Sequence, residues 1–420
     1  MNRYIVLLHA FVLFSSSVFA QKSAKHLERG NAYFEVRYYA KAIPEYEKYL
    51  RSHKSASYEL RLADCYRKVG EYEKAEEVYA SYFSRSKAKP KDNDSLIVRY
   101  ADVLKKQEKY DEAKAVYKKL SDGFYRKAYC ISSCDSFSNS RGEELYEIEN
   151  MSKINSVHSD IAPTVYKNGL VFSSNREETL IKKKSSNTAL PLYNILFAEG
   201  EDSLYPDHVT NFSARVNTIH HECCASFTAD YKTIFFTRSI DKPYSNDPGS
   251  KNALKMYSAS WQNNNWTDWQ TFVFNDTTHS YGHPAVEGHE ELFFFVSDME
   301  GGYGGTDIYV CFSIDHKWTN PINLGPHVNS PYNDMYPFYH PDGTLYFSSN
   351  RPEGMGGYDI YSATENEDGD YEFILNVGAP INSSLDDISI YWNKEKSIGY
   401  FSSNREGGKG EEDIYKIKSK

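Results

Sequence analysis

The sequence predicts an α + β multidomain molecule. An N-terminal α-solenoid of helical hairpins precedes an all-β five-bladed propeller closed by an N-terminal clasp strand. Three observations lead there. A pattern of small and aromatic residues recurs at intervals of 33 and 38 residues between positions 24 and 120. The string Phe-Ser-Ser-Asn-Arg then occurs three times after residue 143, at Phe172, Phe347 and Phe401. The composition also favours sheet and turns: 36 Tyr, 23 Phe and 5 Trp make 15% aromatic, beside 24 Gly and 15 Pro.

Residues 1–20 read as a signal peptide. Arg3 supplies a basic start, Ile5 to Phe14 is apolar apart from His9, and Val18 and Ala20 stand at −3 and −1 of a cleavage site before Gln21. An N-terminal membrane anchor is the alternative, but the apolar run is short for a bilayer. No other stretch approaches a transmembrane helix, so the expected location is periplasmic, beside the outer membrane.

Residues 21–130 form the helical repeats. Gly30, Ala63 and Ala101 align; nine residues on come Tyr39, Tyr72 and Tyr110, twelve on Ala42, Ala75 and Ala113, sixteen on Tyr46, Tyr79 and Tyr117. The small residues let two helices approach closely, and the aromatics fill the space between hairpins. Such units cannot bury their faces alone and stack into a solenoid. By repeat position its groove is lined by Asn31, Phe34, Glu35, Asp64, Arg67, Lys68, Asp102, Lys105 and Lys106. These either take a partner segment or are the solvated charges of a spacer. Residues 131–142, rich in Ser with little periodicity, read as a connector.

Residues 143–420 carry the second repeat. Phe172, Phe236, Phe295, Phe347 and Phe401 mark five copies, the second and third weaker, and an Asp-Ile-Tyr strand follows at Asp307, Asp359 and Asp413. Ahead of four copies stands Asn with an acid five residues on: Asn155/Asp160, Asn217/Glu222, Asn329/Asp334 and Asn382/Asp387; the third copy has Asp276 and Tyr281 instead. Asn168-Gly169 and Asp342-Gly343 are hairpin signals, and the Gly-rich strings at 301–305 and 354–357 are further loops. Five copies of about four short strands make a propeller. A membrane barrel needs strands of about 9–11 residues, roughly twice these. The last copy lacks its outer strand, and Glu144 to Ile148 has the spacing to supply it, which removes an open sheet edge.

The helical pattern resembles the tetratricopeptide repeat. FSSNR, GGYGGTDIY and GMGGYDIY resemble TolB-type, WD40-like (PD40-type) propeller repeats. Leader, helical repeats and propeller together resemble the N-terminal half of the PorE-like, OmpA-family envelope proteins of the type IX secretion and gliding machinery. That resemblance implies a non-enzymatic scaffold or adaptor for protein partners, PorP/SprF-like outer-membrane proteins among them. No OmpA-like domain follows the propeller within these residues, so peptidoglycan binding is not part of what is implied.

The chemistry-bearing residues bear on that reading. The net charge of −10 disfavours nucleic acid and anionic lipid. His220-His221-Glu222-Cys223-Cys224 lacks the second His of a zinc helix, since residue 225 is Ala, though a soft-metal site remains an alternative. Neither a nucleophile elbow nor a Walker loop occurs, so no catalytic residue, resident metal or cofactor is expected. Asp160, Glu222, Asp334 and Asp387 share one repeat position. They either ring the axial mouth and hold a cation or basic peptide, or accept backbone N–H bonds in their own loops. Trp261, Trp266 and Trp269 offer sugars a stacking face or pack a hairpin turn. A ligand-, metal- or glycan-binding propeller is therefore the rival function. Six cysteines, at 65, 130, 134, 223, 224 and 311, allow many pairings and dictate none.

Overall fold

The computed structural model describes residues 23–85, 93–124, 126–139, 145–176, 191–200, 209–240, 253–288, 290–366 and 369–420. The expected leader and its cleavage site lie outside them. The chain divides into two compact units between Ile131 and Ser132.

The first unit is a run of helices. Helix α1 covers residues 23–35. It is followed by α2 (Tyr39–Leu50), α3 (Ala56–Lys68), α4 (Tyr72–Arg85), α5 (Asp94–Lys105) and α6 (Tyr110–Tyr117); α7 (Lys127–Asn139) begins in this unit and runs past the division at Ile131. The small residues do what their spacing requires: Ala42, Ala63, Ala75, Ala101 and Ala113 are fully buried, as are Tyr46, Tyr79 and Tyr117. A Cβ on Gly30 would meet the Tyr46 ring at 2.9 Å. Each hairpin turns through one left-handed residue at the same repeat position: Arg37, Gly70 and Glu108. The next amide reaches back to the last helical turn, Tyr38 to the Tyr33 carbonyl at 2.8 Å, Glu71 to Tyr66 and Lys109 to Leu104 both at 3.0 Å. Residues 131–142, read as a connector, fall largely in α7. The helix buries Cys130 and Cys134, one turn apart and so on one face, an apolar period too brief to stand out among the serines.

The second unit is the five-bladed ring. Blade 1 has strands β2 (Asp160–Tyr166), β3 (Gly169–Ser174), β4 (Asn194–Glu199) and β5 (Val209–Asn211). Blade 2 has β6 (Glu222–Phe227), β7 (Thr233–Ile240) and β8 (Ala253–Gln262), with short β9 (Asn265–Trp266) and β10 (Gln270–Thr271) pairing on β8. Blade 3 has β11 (Tyr281–Val286), β12 (Leu292–Ser297) and β13 (Asp307–Ile314), edged by β14 (Lys317–Trp318) and β15 (Ile322–Asn323). Blade 4 has β16 (Asp334–Tyr339), β17 (Thr344–Ser349), β18 (Asp359–Glu365) and β19 (Tyr371–Asn376). Blade 5 supplies β20 (Asp387–Trp392), β21 (Ile398–Ser403) and β22 (Asp413–Ser419), and its outer strand is β1 (Tyr146–Asn150), antiparallel to β22 from Tyr146↔Ser419 to Asn150↔Tyr415. The clasp thus exists, two residues later than Glu144–Ile148.

Each of the five blade junctions holds its own apolar core. Between blades 5 and 1, Leu170, Phe172, Tyr400 and Ile414 pack together. Between blades 4 and 5, Tyr346, Ile360, Phe401 and Ile417 do so, with Tyr146 and Ile148 of the clasp against them. The Gly-rich loops lie at these junctions. A Cβ on Gly304, Gly356 or Gly410 would collide with the carbonyl oxygen of Tyr332, Ser384 or His158 in the following blade. Glycine is there because backbone meets backbone.

Candidate functional site

Several of the solenoid residues expected to line a groove are occupied by partners within the helical repeats. The residue after each Gly30/Ala63/Ala101 position is an acceptor. Asn31 Oδ1 takes the Tyr46 hydroxyl at 3.0 Å and Arg61 Nη1 at 3.2 Å. Asp64 takes the Tyr79 hydroxyl at 2.8 Å and pairs with Arg99. Tyr46 and Tyr79 sit sixteen residues past each small residue, and Arg61 and Arg99 two residues before the next. One repeat's acceptor is therefore filled by its own tyrosine and by the following repeat's arginine. Arg67 Nη1 extends the ladder to Asp102 at 3.4 Å. Burial lifts the Tyr79 phenol, and the Asp64 charge lifts it further, keeping it a donor. Lys105, expected on the groove, is instead 1% exposed, with its ammonium 6.0 Å from the centroid of Tyr117. Phe34 is half-buried beneath the Arg61 guanidinium, Lys106 is half-buried, and Glu35 and Lys68 are exposed.

In the propeller every letter of Phe-Ser-Ser-Asn-Arg has a structural task. The Phe is fully buried in all five blades. The first Ser reaches the next blade: Ser173 Oγ accepts the Cys224 amide at 3.0 Å, and Ser348 Oγ accepts the Ser389 amide at 3.2 Å. Ser402 Oγ accepts the Ala162 amide at 3.2 Å, across the 5-to-1 closure. Thr237 does the same for the His283 amide at 2.8 Å. Val296 cannot, and there the His283 imidazole Nδ1 takes the Tyr336 amide at 3.3 Å. The second Ser accepts the Arg Nε at 2.9–3.0 Å in blades 1, 4 and 5. The Asn accepts the amide just ahead of the blade's first strand, as Asn350 does from Asn333 at 2.9 Å.

The Arg binds the acid. Arg176–Asp160, Arg351–Asp334 and Arg405–Asp387 pair at 2.6–2.7 Å, and Arg238–Glu222 at 2.8 Å. All four carboxylates are fully buried, so they ring no axial mouth and hold no external cation. Their remaining capacity goes to their own loops: Asp334 Oδ2 takes the Ser330 amide at 2.6 Å and its hydroxyl at 2.8 Å. Burial lifts the Glu222 carboxyl above the usual range, against the opposing bonds of Thr218 and Arg238. Burial opposes the charge on Arg351, but Asp334 and its neighbours together hold that group above the ordinary arginine value. The guanidinium also caps the blade's rings, 5.3 Å from the Phe347 centroid and 4.7 Å from Tyr361.

The Asn five residues before the acid acts as a false strand. Asn155, Asn217, Asn329 and Asn382 each grip one residue of the preceding blade's third strand, taking its amide and donating to its carbonyl; for Asn329 and Ile308 the distances are 2.8 and 2.9 Å. The third copy keeps this device at Asn275, on Met256, one residue earlier than Asp276. What blade 3 lacks is the ion pair. Tyr281 stands opposite Ser297, where Asp160 stands opposite Ser174. Met299 stands where the Arg would be. Both charges are absent together.

These bonds turn one face of each innermost strand to the ring axis. Every such strand has a β-bulge whose residue is left-handed: Ala162, Cys224, His283, Tyr336 and Ser389. Three consecutive residues of each blade, starting at the bulge, line an axial cavity of about 440 Å³ including its open mouth. Its wall mixes the two characters about evenly, apolar at Pro163, Pro284, Pro337 and Phe338 and polar at Thr164, Ser226, His283, Ser389 and Tyr391. The His283 ring stacks on Tyr336 at 4.0 Å, and burial brings its pKa down to about 4, so it is a neutral acceptor. Prolines three residues past the acid position in blades 1, 3 and 4 were the signal in the sequence for this lining.

His158 and His220 belong to the acid-bearing loops, their amides bonded to Ser156 and Thr218. Among the described residues no three His, Cys, Asp or Glu side chains gather as a metal site. Trp266 is buried in an aromatic core with Trp261 edge-on at 5.4 Å, and Trp269 lies over the Arg238 guanidinium at 4.6 Å. The turn between Trp261 and Trp266 is a hairpin with Asn263 and Asn264 both left-handed. No helix among the described residues is long and apolar enough to cross a membrane.

The family model of the tetratricopeptide repeat matches residues 95–122, the third hairpin. No curated protein matches the chain. Among solved structures, yeast Tom70 is similar over 28% of this chain and 25% of its own, at 18% identity and a TM-score of 0.25. An endo-arabinase from Bacteroides thetaiotaomicron is similar over 65% of this chain and 97% of its own, at 11% identity and a TM-score of 0.39. A puromycin-hydrolyzing peptidase from Mycobacterium tuberculosis is similar over 62% and 46%, at 10% identity and a TM-score of 0.35. The chain thus spans a quarter of Tom70 and under half of the peptidase. Likeness at this level assigns no activity.

Proposed function

We propose that this protein is a non-enzymatic, exported scaffold that binds protein partners in the cell envelope. The observation that carries the reading is the tetratricopeptide hairpin at residues 95–122, preceded by two hairpins with the same buried Ala–Tyr pattern and a left-handed turn residue at the same repeat position. Stacked hairpins of this kind are surfaces for partner segments. The leader-like first twenty residues support a periplasmic location in this reading. The resemblance of the FSSNR and DIY strings to PD40-type repeats directs it to an outer-membrane complex, the type IX secretion or gliding apparatus, with a PorP/SprF-like protein as partner.

Crosslinking the full-length protein in native membranes, followed by capture, tests this. An outer-membrane protein should be recovered in stoichiometric amount. Recovery should fall several-fold in a Lys68→Glu variant, which alters an exposed solenoid position and leaves the Asn31–Arg61 and Asp64–Arg99 partners unchanged. Recovery of no envelope protein overturns the proposal. The axial cavity favours a second reading, a propeller that holds a small ligand. A small molecule retained in the native mass spectrum of the isolated protein would support that one instead.

A further inference from the structure

Successive side chains of a β-strand point to opposite faces, so two neighbouring cysteines in a regular strand hold their sulfurs apart. Strand β6 is not regular where its cysteines stand. Its pairing with β7 shifts register between Cys223 and Ser226, and Cys224 is left-handed at φ +57°. That bulge turns both side chains to one side, with the two Sγ atoms 2.8 Å apart. The bulge is common to all five blades, but the other blades place Ile161-Ala162, Gly282-His283, Met335-Tyr336 and Ile388-Ser389 there. Only blade 2 puts a dithiol on it. Cys224 lines the axial cavity, its amide held by Ser173 Oγ, and Cys223 is half-buried against the same axial cluster, which includes Ile161, Ala162 and Ile388.

We propose that Cys223 and Cys224 form a reversible vicinal disulfide in the wall of the axial cavity, made by exchange with a small-molecule disulfide. The Cys223 sulfur, as thiolate, attacks one sulfur of the small disulfide. It forms a mixed disulfide and expels one thiolate. The Cys224 thiol then gives up its proton, attacks the Cys223 sulfur and expels the second thiolate. The two cysteines lose two electrons and two protons, and the small disulfide is reduced to two thiols. The hydrogen bond from the Cys224 thiol lowers the Cys223 thiol, which suits Cys223 to the first attack; burial raises Cys224. Adjacent residues across a trans peptide are about 3.8 Å apart at Cα, below the roughly 4.4–6.8 Å of ordinary disulfides. The ring is therefore tight and easily reopened, which makes it a switch and not a staple.

The test uses the full-length protein equilibrated with oxidised or reduced glutathione, then unfolded in guanidinium with N-ethylmaleimide present, so that burial protects no thiol. Trypsin releases residues 216–232, which contain these two cysteines and no others. After oxidation that peptide should carry no maleimide and weigh about 2 Da less than the dithiol, the loss of two hydrogens. After reduction it should carry two maleimides. In a Cys223→Ser variant, Cys224 should take up maleimide after either treatment. Full alkylation of the wild-type peptide after oxidation overturns the proposal. So does a lasting glutathione adduct on either cysteine, a bond from either to another cysteine, or equal protection of Cys224 in the variant.

Discussion

Arg351 is among the largest fully buried side chains of the protein, and its worth depends on Asp334. A buried pair contributes little over a well-packed apolar substitute, whereas removing one partner strands a charge at a cost of about 3–5 kcal/mol. Blade 3 fits that rule, since Tyr281 and Met299 replace acid and base together. Arg351→Met alone should therefore lower stability by about 3–5 kcal/mol in urea denaturation. Adding Asp334→Asn should restore a good part, because the amide oxygen still accepts from Ser330 and no charge is left behind. Two independent, additive losses would show that the pair is not coupled. At this scale the sequence was half legible. The recurrence of FSSNR and of the Asn-to-acid spacing was plain, and so was the option that each acid serves its own loop. That the Arg answers the acid was not, because sixteen to eighteen residues separate them and the strand register joins them. The same blindness applied to Asp64 and Arg99. Charges in helical repeats are usually solvated, and nothing local marks these as ladder partners.

The elements make the ring by supplying across each junction what one blade lacks. Strand β1 is the covalent form of this. Its five residues pair with β22 and place Tyr146 and Ile148 against the blade 4–5 core, where Tyr146 lies 5.5 Å from Trp392. Asn150 adds a bond to Asp413 at 2.8 Å. A chain beginning at Asn150 loses the strand, leaves the outer backbone groups of β22 unpaired and opens an edge. It should melt several degrees below a chain beginning at Ser140, or aggregate on heating. Equal melting of the two chains would mean that blade 5 does not depend on the clasp. The clasp was legible because a missing strand at one end and a spare one at the other are a counting argument. The bulges were not. Left-handed residues are read from Gly or Asn, and here the five positions hold Ala, Cys, His, Tyr and Ser. Hydrogen bonds from neighbouring blades impose the conformation, and they exist only once the ring has closed.

At the scale of the whole molecule, the two units are built on different principles of cooperativity. In the helical unit a core runs from Ala42 through Tyr79 to Val103, in which each hairpin leans on its neighbour. Stability of that kind is a sum of local terms, so unfolding spreads over a range of temperature. The ring has five junction cores, and the bonds of Ser402 to Ala162 and of Asp160 to Glu412 join its last blade to its first. No blade can leave without opening two junctions, which favours one sharp transition. Calorimetry of the full-length protein should therefore show two events, a broad one for the helices and a narrow one for the propeller. Tyr79→Phe removes the hydroxyl bonded to the Asp64 carboxylate, worth about 1.5–3 kcal/mol. In a unit of this size that should move the broad event down by about 6 °C or more. The narrow event should stay in place, because every partner of Tyr79 belongs to the helical repeats. If the substitution moves both events together, the helices and the ring unfold as one body, and the two kinds of cooperativity argued for them are not separate.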